Sequence, residues 1–302
     1  MVSCAGTHPG GAARRQASAL PVFGSLEIGK VLGITIRLHV LLLVLALFLY
    51  LDQGPKGLGE FGILFLVVLL HELGHSIVAQ RMGIRVVDIT LWPLGGVARM
   101  TEMPESSRVE GLIAIAGPAV NFALASLCGL VVLLSGLDPR GGAAAALWLF
   151  VQINLALGLF NLIPAFPTDG GRILRALLAL RRDWLRATEI AVRVGGFVAL
   201  LCAVTGLVLV FSAPAFFGLG LSLVLVAAFL WWTGRQELAA VRLRHGVSPF
   251  AMLAELLRRS MERGAPARPA EQEARGDLDP RALEDLENYR GSLRSWRGRR
   301  DE

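Results

Sequence analysis

The stretch "LLHELGHSIVAQ", Leu69 to Gln80, sets His71, Glu72 and His75 inside one of the most apolar parts of the chain. Ionisable groups are costly in hydrocarbon surroundings, so such a trio needs a compensating partner. On a helix, residues four apart share a face, which sets the two imidazoles side by side. That is a bidentate grip for zinc, and Glu72 is placed to act as general base on a metal-activated water. HExxH is a short pattern, but here it falls on a predicted helix, as the chemistry requires. The competing reading, two packed histidines beside an incidental glutamate, leaves three polar groups unpaired in a membrane helix.

Composition supports the membrane setting. Of 302 residues, 54% are hydrophobic and only 18% charged, against about 25% charged in an average soluble domain. The mean hydropathy is +0.57. Six stretches approach the ~20 apolar residues of a spanning helix: Ile34–Leu51, Phe61–Met82, Val109–Gly136, Ala143–Ile163, Ile190–Phe211 and Pro214–Thr233. The net charge of +6 is spread in short clusters between these runs, with no single basic block. This pattern points to the lipid bilayer and away from nucleic acid as a partner. Arg81, Arg85, Arg99 and Arg108 follow the second run, and Arg172, Arg175, Arg181, Arg182 and Arg186 the fourth. The opposite connections carry Lys56, then Arg140, then no basic residue. By the excess of basic residues in cytoplasmic loops, the chain is expected to be a multi-pass protein of the cell membrane with both termini cytoplasmic. Cys4, Cys128 and Cys202 form no CxxC and suggest neither a disulfide framework nor a thiolate metal site.

The expected fold is an all-α polytopic membrane protein of about six transmembrane helices, with a three-helix catalytic core and a small membrane-associated β-hairpin. Residues 1–30 read as a flexible cytoplasmic segment without the continuous apolar core of a signal peptide. Residues 31–234 form the six-span domain, with the core at about 59–182. Residues 235–302 hold 14 arginines and 12 acids, and are expected to form a cytoplasmic tail, partly helical and partly disordered. The hairpin lies in "VVDITLWPLGGVARM", Val86 to Met100, where β-branched residues precede Pro93, Gly95 and Gly96.

A catalytic zinc needs a third protein ligand and an open position. The best candidate is Asp169 in "NLIPAFPTDGGR", Asn161 to Arg172. Pro164 and Pro167 force the chain out of helix, and Gly170 and Gly171 allow a sharp turn. The alternative role for Asp169 is a helix N-cap, since the following residues look like a helix start.

Taken together, HELGH at 71–75, PLGGVA at 93–98, AGPAVNF at 116–122 and FNLIPAFPTDGGR at 160–172 resemble the site-2 protease family of intramembrane zinc metalloproteases, peptidase family M50. The resemblance covers about Thr35 to Arg186; Thr168, where the family often has Leu, is a mild departure. It implies one zinc ion per chain on His71, His75 and Asp169, with Glu72 as catalytic base. It also implies that Asn154 and Asn161 lie near a bound peptide, and that Gly95 and Gly96 belong to a substrate-docking edge strand. The implied activity is metalloendopeptidase cleavage of transmembrane protein substrates in regulated intramembrane proteolysis, for example of an anti-sigma factor or a membrane-held transcription factor. Two other classes compete: a catalytically silent membrane-binding protein, and a metal-handling membrane protein. The intact His71, Glu72, His75 and Asp169 argue against the first. A transporter would be expected to string ionisable groups along a path through several spans, whereas here they converge. Oligomeric state is left open by these patterns.

Overall fold

Ile34-Thr35-Ile36 opens the first apolar run, and β-branched residues favour extended chain. In the computed structural model, which describes residues 24–101, 104–136 and 141–247, this segment is not helical. Strand β1 (Ser25–Val31) and strand β2 (Ile34–His39) form an antiparallel hairpin. Leu32 and Gly33 turn it, both at positive φ, as a two-residue hairpin loop requires. Strand β2 then pairs in parallel with β3 (Val86–Trp92), which pairs antiparallel with β4 (Gly95–Met100). The expected hairpin is therefore half of a four-stranded sheet in the order β1-β2-β3-β4. Two expectations are corrected. Residues 25–30, assigned to a flexible segment, form β1, and Ile34–His39, assigned to the first span, is a strand held between two others.

One face of the sheet is apolar. Ile34, Ile36, Ile89 and Leu91 pack with Phe65, Val68 and Ala79 of the long helix α1 (Val40–Arg81). Asp88, 1% exposed, is gripped by Arg99 of β4 through two nitrogens, and Arg37 Nε of β2 lies 3.4 Å from it. Because these charges sit on three adjacent strands, they fix the register of the edge strand β4.

Helix α1 contains 42 residues, but Gly54 inside it has φ 66° and ψ −156°. An unbroken helix of that length would extend ~63 Å. Yet Gln80, near its end, donates to the carbonyl of Leu32, only a few residues before its start. The helix therefore folds back at Gly54-Pro55, and the first two predicted spans are two arms of one element. The first arm, Val40 to Gln53, is ~20 Å long, shorter than expected because its apolar run begins as strand.

Helices α2 (Ser107–Ser135) and α3 (Gly142–Asn161) follow, then the short α4 (Asp169–Ala179), and finally α5 (Trp184–Ser212) and α6 (Phe217–Arg244). A 3-10 turn, Pro214–Phe216, joins the last two, and they cross closely at Gly206 and Gly220. Among the described residues, five helices are long and apolar enough to cross a membrane; α4 is not one of them. Their outer surface is apolar: Phe211, Leu133 and Leu134 are each more than three-quarters exposed. An apolar exterior on this scale belongs in lipid, and the chain is a membrane protein. Helix α6 runs through Arg235 without a break. The expected tail beyond 247, like residues 1–23, lies outside the described residues.

The backbone at Gly54 is in a region open essentially to glycine alone. Gly54→Ala is expected to cost about 1–3 kcal/mol, read as a lower unfolding temperature of the protein in detergent.

Candidate metal centre

The second arm of α1 carries His71 and His75 with their ring centroids 4.6 Å apart, edge to face. The opposing group comes from the loop between α3 and α4. There the Thr168 hydroxyl lies 2.5 Å from the carbonyl oxygen of Ile163 and 2.7 Å from that of Ala165, closing the loop on itself. Gly170 and Gly171 lie against this loop so closely that a side chain on either would overlap its backbone. The result directs Asp169, the first residue of α4, at the histidines. Its Oδ2 is 3.2 Å from Nε2 of His71 and 3.2 Å from Nε2 of His75, and the two Nε2 atoms are 3.1 Å apart. Thr168, not Asp169, occupies the helix N-cap, so the capping alternative for Asp169 is set aside.

The histidine tautomers follow from their outer nitrogens. His75 Nδ1 is 2.7 Å from the carbonyl oxygen of Ile113, which can only accept, so Nδ1 carries the proton. His71 Nδ1 is 3.2 Å from Asn121 Oδ1. The amide nitrogen of Asn121 is committed to the Asn154 carbonyl at 3.4 Å, which turns its oxygen to His71. With Nδ1 so engaged, each ring turns Nε2 to the carboxylate, and in its neutral form offers a lone pair there. Asp169 Oδ2 is buried and receives no hydrogen bond. Three electron-rich atoms in mutual contact repel one another unless a metal ion or a proton lies among them. Their separations of 3.1–3.2 Å are close to the ~3.3 Å edge of a tetrahedron with ~2.0 Å bonds, the geometry of zinc on nitrogen and oxygen. The donor set and its spacing thus fit a zinc ion, and the carbonyl and amide behind the histidines are the outer partners such a site uses.

Two glycines make room for this arrangement. A methyl group at Gly117 of α2 would collide with the imidazoles of both His71 and His75. At Gly74 it would lie 2.9 Å from the Ala116 carbonyl oxygen and 2.9 Å from a Val120 methyl, so the backbone of α1 there lies close against both backbone and side chain of α2. Glu72 lies under the sheet edge: a Cβ on Gly96 would be 2.5 Å from Glu72 Cγ. The structure thus brings Gly96 of β4 onto the candidate base, with Gly95 beside it at φ 136°.

The two asparagines differ in their surroundings. Asn154 is fully buried, donates to Phe150 in its own helix, and holds Asn121 through its backbone carbonyl. A group enclosed in this way cannot touch an incoming peptide unless α2 and α3 part; its position is that of a support behind His71. Asn161 ends α3 and donates to Leu157 of the same helix at 3.0 Å. Asn121 and the Ile113 carbonyl were not legible as histidine partners. AGPAVNF carried only a family resemblance, and a backbone carbonyl leaves no mark in a sequence.

Asn121→Ala is expected to weaken zinc binding 10–100-fold while leaving the ligands in place, measured by competition with a chromogenic chelator. Gly117→Ala, which displaces both rings, is expected to abolish stoichiometric zinc by elemental analysis of the purified protein.

The chain is similar to known proteins in sequence and in fold. The family model described as Peptidase family M50 matches residues 60–140 and 126–202. A zinc metalloprotease of Methanocaldococcus jannaschii is 37% identical over 222 residues, covering 70% of this chain and 60% of that protein. Rip3 of Mycobacterium tuberculosis is 34% identical over 231 residues, covering 70% and 58%. The chain therefore spans about 60% of the length of these curated relatives. A solved structure, the site-2 protease from Methanocaldococcus jannaschii, superposes with a TM-score of 0.51 at 37% identity, covering 70% of this chain and 94% of that one. By this match in sequence and in fold, the chain belongs to peptidase family M50.

Proposed function

We propose that the chain is an intramembrane zinc metalloendopeptidase that hydrolyses peptide bonds within or near the transmembrane segments of other membrane proteins. The observation that carries this reading is the triangle of bare donor atoms on His71, His75 and Asp169, adjacent to Glu72 and enclosed by apolar helices.

Zinc, when bound there, would acidify a water molecule and polarise a peptide carbonyl. Glu72 takes the proton from the attacking water and returns it to the departing amine. Asn121 and Ile113 hold the imidazoles so that Nε2 faces inward throughout. Burial excludes competing nucleophiles and strengthens each of these electrostatic contacts.

A helical substrate hides its carbonyls in internal hydrogen bonds, so it must be extended before attack. Strand β4 lies at the edge of the sheet, and an extended peptide could add to it through main-chain hydrogen bonds. Gly95 and Gly96 would let that peptide approach above Glu72. The substrate is then a single-span protein, and regulated intramembrane proteolysis of an anti-sigma factor or a membrane-held transcription factor is the setting that fits. Both termini are assigned to the cytoplasm, since Arg81, Arg85 and Arg108 flank strands β3 and β4 and Arg99 lies within β4.

The test compares membrane proteomes of cells carrying the wild-type protein and Glu72→Gln. The variant is expected to keep one zinc per chain and to lose cleavage by 10²–10⁴-fold, so that one or more single-span proteins accumulate uncut. Identical proteomes with an expressed, zinc-loaded wild type would favour a silent binder. Movement of zinc across vesicles by the purified protein would favour metal handling.

A further inference from the structure

Helix α4 delivers Asp169, yet it has few means of holding its own position. It has 11 residues, a length that is marginal in isolation. Its buried residues are Asp169, Gly170, Gly171, Arg175 and Ala176. The only buried side chains larger than alanine are thus the candidate ligand itself and one arginine. No large apolar side chain is buried along α4.

Arg175 is 5% exposed and makes contact with four other segments. Its Nε donates to Glu110 Oε2 of α2 at 3.0 Å, and Nη2 pairs with the other oxygen of the same carboxylate. Nη1 donates to Glu237 Oε1 of α6 at 2.6 Å. The guanidinium lies 4.9 Å from the ring centre of Phe166, in the loop before Asp169, and 5.0 Å from that of Trp184, which opens α5. Fork geometry and stacking on two rings are properties of arginine that lysine does not reproduce. Glu110, 2% exposed, is one helical turn before Ile113, whose carbonyl holds His75, and two turns before Gly117, which seats both imidazoles. Close by, a Cβ on Gly111 would be 3.3 Å from the Ala176 side chain, so α2 and α4 are in near contact beside the ion pair.

We infer that Arg175 is a positioning residue for the metal centre: clamped to Glu110 and Glu237 between Phe166 and Trp184, it sets the rotation and depth of α4 so that Asp169 meets the histidine pair. The inference rests on the zinc protease reading of the site. Glu110 ties α4 to the same helix that orients His75, so one ion pair references both halves of the ligand set to each other. Glu237 adds the last helix to that reference.

The test measures zinc affinity by chelator competition, and kcat and KM on a cleavable membrane substrate. It uses the full-length wild type, Arg175→Lys, and the double variant Glu110→Gln with Arg175→Gln, which leaves no buried charge opposite the lost guanidinium. The expected result is a loss of zinc affinity of tenfold or more in both variants, with kcat falling and KM close to wild type. Glu237→Gln, which leaves the Glu110 fork intact, is expected to lower zinc affinity less than either of these variants does. Zinc affinity and kcat within twofold of wild type in both variants would overturn the inference. So would variants that fail to fold, because Arg175 would then serve the whole bundle and not α4 in particular. A wild type that binds no zinc would instead sink the functional reading beneath it.

Discussion

Bringing three lone pairs within 3.2 Å of one another in an apolar bundle is the constraint to which the rest of the site answers. Left alone, the donors would turn away or take up protons. Each is instead held facing inward from behind. The Ile113 carbonyl and the Asn121 amide fix the imidazoles, and a proline-broken loop fixes the carboxylate. The space is made by residues with nothing to offer chemically, Gly117 above all. The centre is therefore preorganised by its surroundings, and a cation entering it would find the ligands already in place.

The sheet contributes a different kind of order. Its apolar face rests on the arm of α1 that carries the histidines, while its charges pin the edge strand from within. Strand β4 is thereby tied both to the helix beneath it and to the strand beside it. Glu72 and Gly96 are brought together by these two attachments and not by any direct bond between them. An edge whose register does not slip keeps Gly96 against Glu72.

Much of this was legible in the sequence where local chemistry decides. The i, i+4 spacing of His71 and His75 placed two of the three grouped donors, and the PAFPTDGG run at 164–171 marked the third. The helix-forming runs were found because apolar length alone identifies them. What escaped depends on partners distant in the chain. Residues 25–39 pair with 86–92 only after α1 has folded back, so their strand character had no local signature beyond a few β-branched residues. Asn154 was read from its likeness to a family, but burial is decided by α2, which a motif cannot foresee. Arg175 was counted among topology-setting charges, and only the assembled bundle shows it enclosed by two carboxylates and two aromatic rings.

The parallel pairing of β2 with β3 bears on how the protein is made. Those strands are joined by both arms of α1, so the sheet cannot close until that whole hairpin has entered the bilayer and the chain has emerged as far as Leu91. Asp169 leaves the ribosome later still. The histidines and the glutamate thus reach the membrane well before their third partner exists, and the nascent chain passes through a stage with bases but no complete cage. The set of donors is complete only with the last piece of the core.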